Sequence, residues 1–272
     1  MSIASELTAL DGYIEDAYDA VSAKGGTIPA NKNMSNLGTA IGTITTGGTD
    51  YGIPRIVVDG ALKKPASGYT YTLPTGVTKI GGESAGNTGM FMGGLSCAFQ
   101  NDTNITSADL SACTQVINWG LYSTFAAAAN LASVNLSGLV AVSVNGMRAT
   151  FDGCSSLTTV TVGSSSMGAI NQYGMYETFA NCTGLTTATI NASRLSGMSC
   201  LENMFLTCTS LANVYFPHLS DLGSGANVMK NMLSGCSGVT VHFLTSMSTN
   251  TKLQTYTSVG FGGKNTTVLF DL

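Results

Sequence analysis

Cysteine is the residue type in this sequence that could do the most varied chemistry, because a thiolate binds metals, attacks carbonyl carbons and forms disulfides. The chain has seven cysteines. Four of them occupy the same position in successive copies of a repeated motif: Cys154, Cys182, Cys208 and Cys236. No CxxC pair or Cys/His cluster has the spacing of a zinc site, so we expect no metal. The regular spacing favours buried free thiols, with disulfides between neighbouring repeats as the alternative.

Paired carboxylates are the second group that could support catalysis, because two of them can hydrolyse a glycosidic bond. Glu177 and Glu202 fall in successive repeats, but they stand two and three residues before the phenylalanine of their repeats. The histidines, His218 and His242, have no serine or cysteine partner pattern. We therefore predict that the protein is not an enzyme and uses no cofactor. A polysaccharide depolymerase is the third hypothesis for its function.

A repeated phenylalanine sets the positions of all these residues. Six motif copies begin, at intervals of 26 or 28 residues, with Phe99, Phe125, Phe151, Phe179, Phe205 and Leu233. Apolar residues four before and three after this position are typical of one face of a short helix, and those nine and eleven after it alternate as in a strand. The period is typical of a solenoid. We predict a repeat solenoid with a short helix and a strand in each coil and the strands in a parallel sheet.

The chain divides into four predicted segments. Residues 1–46 form a helical assembly or attachment segment, 47–89 a β-rich capping region, 90–244 the solenoid and 245–272 a C-terminal β cap. In the first segment, an a/d heptad pattern places six residues on one seam: Ile3, Leu7, Leu10, Ile14, Ala17 and Val21. A helix this short is marginal alone. It predicts either a coiled coil, with a trimer favoured, or an amphipathic helix that packs on its own chain.

The composition excludes two classes of partner. Charged residues make up 10% of the chain, the formal net charge is -4, and no run of lysine or arginine is present. A surface of this kind does not hold phosphates, so no nucleic acid is expected. No apolar stretch approaches the roughly 20 residues of a membrane span. The first residues lack the basic and apolar regions of a secretory signal, so we do not expect one.

The residues that the repeat leaves free are the candidates for binding. The solvent-facing strand positions predict a flat polar strip that includes Asp109, Asn135, Thr161, Thr189 and Tyr215. Such a strip suits a glycan, and it is also what any solvated parallel sheet presents.

A second candidate column stands three residues before the opening position of each repeat. Its members are Ser96, Tyr122, Arg148, Tyr176, Glu202 and Lys230. Their aromatic and charged groups predict a ladder of cation–π and ion-pair contacts, which serves either recognition or structure. Trp119, the single tryptophan, is a candidate sugar-stacking platform or a half-buried core residue.

The repeats resemble a known family in their order of residues. The strings FDGCSSLTTVTV, FANCTGLTTATI and FLTCTSLANVYF are similar to the BspA-like leucine-rich repeat over roughly residues 90 to 245. The flanks AKGGTIPANKNMSNLGTAIGTI, YGIPR and VGFGGKNTTVLFDL resemble tail-associated proteins of phages that infect gut bacteria.

These resemblances imply a recognition function. BspA-like proteins are associated with adhesion, and tail fibres bind receptors. The expectation is a phage tail-fibre or tail-tip component, located in the virion, that binds a bacterial surface glycan or protein receptor and other tail proteins, as a homo-oligomer. The alternative is a bacterial surface adhesin at the cell surface.

Overall fold

Two compact units make up the protein, Met1–Asp50 and Tyr51–Leu272. The structure, a computed structural model, describes residues 14–15, 17–19, 21, 30–33, 68–73, 76–81 and 94–272. No helix among these residues is long and apolar enough to cross a bilayer.

The first unit contains part of the helix that the heptad pattern predicts. The described residues between 14 and 21 are helical. Val21 is buried by its own chain, and so is Tyr18, whose hydroxyl donates a hydrogen bond to the backbone oxygen of Asn33 at 2.9 Å. Since the heptad seam omits Tyr18, the buried face of this helix is wider than the seam. Ile3, Leu7 and Leu10 lie outside the described residues.

Thirteen strands are described in the second unit: β1 (Tyr69–Thr72), β2 (Lys79–Ile80), β3 (Ile105–Asp109), β4 (Gln115–Val116), β5 (Ser133–Asn135), β6 (Ala141–Val142), β7 (Thr159–Val162), β8 (Ala169–Ile170), β9 (Thr187–Ile190), β10 (Arg194–Leu195), β11 (Asn213–Phe216), β12 (Thr240–Phe243) and β13 (Thr267–Leu269). All of their pairings are parallel. The predicted solenoid with its parallel sheet is thus confirmed.

The longer strands form one face of the solenoid, which we call the long-strand face. Its strands follow in the order β1-β3-β5 and then β7-β9-β11-β12-β13, and a bridge from Leu136 to Val162 links the two groups. Side chains alternate along β7, where Val160 and Val162 are buried while Thr159 and Thr161 are exposed. This alternation directs one row of each strand into the core and leaves the other in solvent.

A second parallel sheet runs along another side of the coils, in the order β2-β4-β6-β8-β10. Each of its strands has two residues and buries the second one, as Val142 and Ile170 do. The sequence analysis did not predict this second sheet. A strand of two residues is too short to show alternation, so only the stacked neighbours define this sheet.

The segments predicted as short helices are instead runs of turns. They cover residues 94–101, 118–127, 144–153, 172–181, 198–207 and 226–235, which we call the turn ladder. Alternate residues donate their N–H groups to the next coil, as Phe151 does to the Thr178 oxygen at 2.8 Å, while the residues between them donate three residues back, as Cys154 does to the Phe151 oxygen at 3.0 Å. The helix prediction was wrong because half of the N–H groups bond between coils rather than along the segment.

The turn ladder requires a left-handed backbone at every fourth residue. Residues such as Asn145 and Ala149 have φ of 53° and 51°. Asparagine tolerates this conformation better than most residues, and among the described residues it accounts for eight of the eighteen non-glycine positions with positive φ. This demand explains part of the asparagine content of the repeats.

Stacked phenylalanine rings form the centre of the core. The centroids of Phe99, Phe125, Phe151, Phe179 and Phe205 are 5.2 to 5.8 Å apart in succession, and neighbouring planes lie within 12° of each other. Such offset stacks contribute beyond the area that they bury.

Each repeated cysteine completes a backbone contact between coils. Its thiol donates a hydrogen bond to the carbonyl oxygen of the phenylalanine one coil earlier, as Cys182 does to Phe151 at 3.1 Å and Cys208 to Phe179 at 3.0 Å. All seven cysteines are free, and six are buried. The prediction of buried free thiols is confirmed, and the thiol also satisfies a buried carbonyl.

A C-terminal coil closes the solenoid. A helix at Thr251–Thr257 buries Leu253 and is followed by the buried Phe261, after which β13 adds the last strand. The ammonium group of Lys252 donates hydrogen bonds to the backbone oxygens of residues 222, 223 and 225. The sequence predicted a β cap here without the helix.

Candidate binding surfaces

The predicted polar strip lies on the long-strand face in the expected register. Asp109 is paired with Asn135, and Thr161 with Thr189 and then Tyr215. The adjacent row, with Ser107, Ser133, Thr159, Thr187 and Asn213, is aligned in the same way. The strip is therefore one band of short polar groups, as the sequence predicted. Its role in binding stays a prediction.

Several polar groups of this strip are already engaged with one another. The Asp109 carboxylate accepts a hydrogen bond from the Ser111 backbone N–H at 3.0 Å, and bonds from Ser111 lower its pKa. Thr70 and Ser107 share a bond between their hydroxyls. Groups that satisfy each other offer a ligand little hydrogen-bonding capacity.

One end of the strip continues into a ring contact that the sequence did not indicate. The imidazole of His242 stacks on the Tyr215 ring at 4.3 Å, and its Nδ1 lies 3.0 Å from the Asp271 carboxylate. Nε2 lies 3.3 Å from Oδ1 of Asn213. These contacts attach the C-terminal residues to the strip.

A cluster of aromatic rings around one arginine lies on the turn ladder. We call it the aromatic platform and define it as Trp119, Tyr122, Arg148, Tyr173 and Tyr176. The guanidinium carbon of Arg148 is 4.7 Å from the ring centroid of Tyr176, 5.8 Å from Trp119 and 5.9 Å from Tyr173. Trp119 meets Tyr122 edge to face at 5.0 Å. All five side chains are half-exposed.

The platform joins two neighbouring columns of the turn ladder. The predicted column supplies Tyr122, Arg148 and Tyr176, and the predicted cation–π contact between Arg148 and Tyr176 is present. The column three residues earlier supplies Trp119 and Tyr173, with Asn145 between them. The sequence analysis missed Tyr173 as a partner of Trp119. Its distance from Trp119 is two repeat periods, so alignment of the copies would have revealed the pair.

The other members of the predicted column contact groups of the protein itself. Glu202 pairs with Lys230 at 3.7 Å. Ser96 is buried, and its hydroxyl donates to the Tyr122 backbone oxygen at 3.3 Å. The ion-pair part of the prediction therefore lies beyond the platform, toward the C-terminal coils.

The backbone of the platform is unfavourable for the residues it carries. Trp119 has φ of 62° and Tyr173 of 51°, in a column where other coils place Asn145, Ser199 and Asn227. A left-handed conformation costs a bulky residue roughly 1 to 2 kcal/mol. Asn145 also has a buried side-chain oxygen without a hydrogen-bond partner in the described part of the chain. Such features tend to occur at functional sites.

Other candidate sites show no arrangement for chemistry. The pKa of the Cys154 thiol is raised to about 12 and that of Cys236 to about 11, because burial disfavours the thiolate. Glu177 accepts a hydrogen bond from Asn203 at 3.4 Å, and Glu202 is paired with Lys230 as above. The described residues contain no group of three or more His, Cys, Asp or Glu side chains that could hold a metal ion.

Comparison with known families agrees with the architecture. Residues 95–173 and 147–257 match the BspA type leucine-rich repeat region, in six copies. This chain belongs to the BspA-type leucine-rich repeat family. No curated protein and no solved structure matched it. The family is consistent with a surface adhesin or recognition protein.

Proposed function

We propose that this protein is a non-enzymatic recognition protein that binds a glycan of the bacterial surface through the aromatic platform. Membership of the BspA-type repeat family supports a recognition role. The three tyrosines and Trp119 supply flat apolar faces for sugar rings, and the adjacent Arg148 supplies hydrogen-bond donors.

The observation that carries this proposal is the left-handed backbone of Trp119 and Tyr173. Stability alone favours asparagine or glycine at these two positions. A solvated aromatic ring there exposes apolar surface as well as straining the backbone. Ligand binding would explain both the backbone strain and the exposed apolar surface, since strain is stored at sites where a specific side-chain direction is needed.

Affinity electrophoresis through gels that contain bacterial surface polysaccharides tests the proposal. We expect Trp119→Asn and Tyr173→Asn each to weaken binding roughly tenfold or more, as the loss of a central aromatic contact does. Their free energies of unfolding should stay within about 1 kcal/mol of the wild type, because relief of strain offsets lost ring contacts. Thr161→Arg, which blocks the strip, is the matched control. If only Thr161→Arg abolished binding, the strip would be the site instead.

We place this recognition module on a phage tail, as a tail-fibre or tail-tip component, with residues 1–46, which the sequence predicts to be helical, as the assembly module. The resemblance of the flanking sequences supports this placement, and a bacterial surface adhesin is the alternative. Labelling of virions with antibodies against this protein separates the two. Light scattering tests the expected trimer, and a strict monomer would remove the coiled coil.

A further inference from the structure

The charge of Arg148 narrows the class of ligand. This step rests on the proposed function, because it assumes that the aromatic platform is the binding surface. We infer that the saccharide bound there carries a carboxylate, as uronic and sialic acids do, and that Arg148 binds this carboxylate.

Arg148 contacts aromatic rings but no acidic group among the described residues. In the described part of the chain it forms no ion pair, and no side chain or backbone oxygen accepts a hydrogen bond from its guanidinium. Arg194, by contrast, is paired with Asp221 at 3.0 Å. Cation–π contacts involve the face of the ring and supply no oxygen acceptor, so they leave the N–H groups of a guanidinium without hydrogen-bond partners.

The surrounding rings favour a bidentate acceptor. Three ring centroids lie within 6 Å of the Arg148 guanidinium carbon, and they restrict its orientation. A planar guanidinium held in this way offers its in-plane N–H groups in parallel, the geometry that a carboxylate accepts. The conformational entropy that Arg148 would lose on binding is therefore already reduced.

The charges around the platform indicate the side from which the carboxylate approaches. Toward the C-terminal coils, Glu177 follows Tyr176 in the chain, and burial together with the Glu177 charge raises the pKa of Tyr176; Glu202 lies one coil further. The turn-ladder segments 94–101 and 118–127, on the other side, contain no charged residue. Asp152, in the same segment as Arg148, accepts a hydrogen bond from Asn181 at 2.8 Å. A carboxylate therefore meets the least repulsion beside Trp119 and Tyr122.

The test compares acidic polysaccharides with their own neutral forms. Polygalacturonate, alginate, hyaluronate and polysialic acid are each used intact and after chemical reduction of the carboxyl groups, in affinity electrophoresis with the full chain. We expect at least one polymer to bind, and its reduced form to bind roughly 10- to 100-fold more weakly, the contribution of hydrogen bonds to a charged group.

Variants locate the effect at one side chain. Arg148→Gln should lower affinity for the intact polymer by a similar factor and leave affinity for the reduced form unchanged. Arg148→Lys should fall between the two, because lysine keeps the charge but not the planar donor pair. Arg194→Gln, the matched control, should bind as the wild type does. Circular dichroism and urea midpoints close to wild type would show that each variant is folded.

The outcomes separate this inference from the proposed function. Equal binding of intact and reduced polymers, or binding confined to neutral or sulfated glycans, overturns the carboxylate and leaves glycan recognition standing. Equal loss of affinity in Arg148→Gln for both polymer forms also overturns it. If neither these polymers nor any bacterial surface polysaccharide is retained, the proposed function fails, and this inference fails with it.

Discussion

Removal of the Phe151 ring is the most direct test of the stacked core. Phe151 is fully buried, with Phe125 at 5.4 Å on one side and Phe179 at 5.3 Å on the other. Phe151→Ala deletes the ring and both stacking contacts, and the neighbouring coils cannot close the gap because their backbones are bonded to each other. We expect the free energy of unfolding to fall by about 3 to 5 kcal/mol.

Two matched variants calibrate this value. Phe151→Leu should cost about 1 kcal/mol, because the sixth copy already has Leu233 at this position and the volume is nearly conserved. Thr161→Ala, on the exposed row of β7, should change stability by less than about 0.5 kcal/mol. Urea unfolding followed by far-ultraviolet circular dichroism measures all three. A loss for Phe151→Ala no larger than that for Thr161→Ala would refute the stacked core.

Three further changes should perturb stability in stated directions. Burial raises the pKa of the Cys154 thiol to about 12, so the buried thiols are neutral in the folded protein. Their contribution to stability is complete below the pKa of the unfolded chain, near 9, and is lost as pH rises from 9 toward 12. Urea midpoints measured across this range should fall, and a constant midpoint would contradict the burial. Lys252→Met should lower the free energy of unfolding by about 1 to 3 kcal/mol, because three backbone oxygens lose a charged donor, whereas Lys264→Met should have little effect. Deletion of residues 267–272 removes β13 and the Phe270 ring that lies 6.0 Å from Phe243, so size-exclusion chromatography should show aggregation; a monodisperse, equally stable truncation would argue against a capping role.

The repeat alignment predicted the core positions correctly because each copy places apolar residues at the same inward-facing positions. Phe151, Cys154 and Leu157 are all fully buried, as their spacing indicated. The outward row of the long-strand face was also predictable, since alternation along a strand fixes which side chain faces solvent. Both features depend on a residue spacing that recurs in every copy of the repeat.

The turn ladder was not predictable from apolar spacing. The residues four before and three after the phenylalanine bury one face in a helix and in a run of turns alike. Positive φ at Asn145 and Ala149 distinguishes the two structures, and the frequent asparagines were the signal for it in the sequence.

The candidate site shows the same division. The sequence by itself determined that Tyr122, Arg148 and Tyr176 share a column, because a fixed period stacks equivalent residues. The tertiary structure decided that Trp119 and Tyr173 lie on either side of that arginine and that none of the described carboxylates pairs with it. Contacts between coils depend on where each N–H finds its acceptor and on how each backbone directs its side chain. Those partners are a full repeat away in the chain, so only the folded stack brings them together.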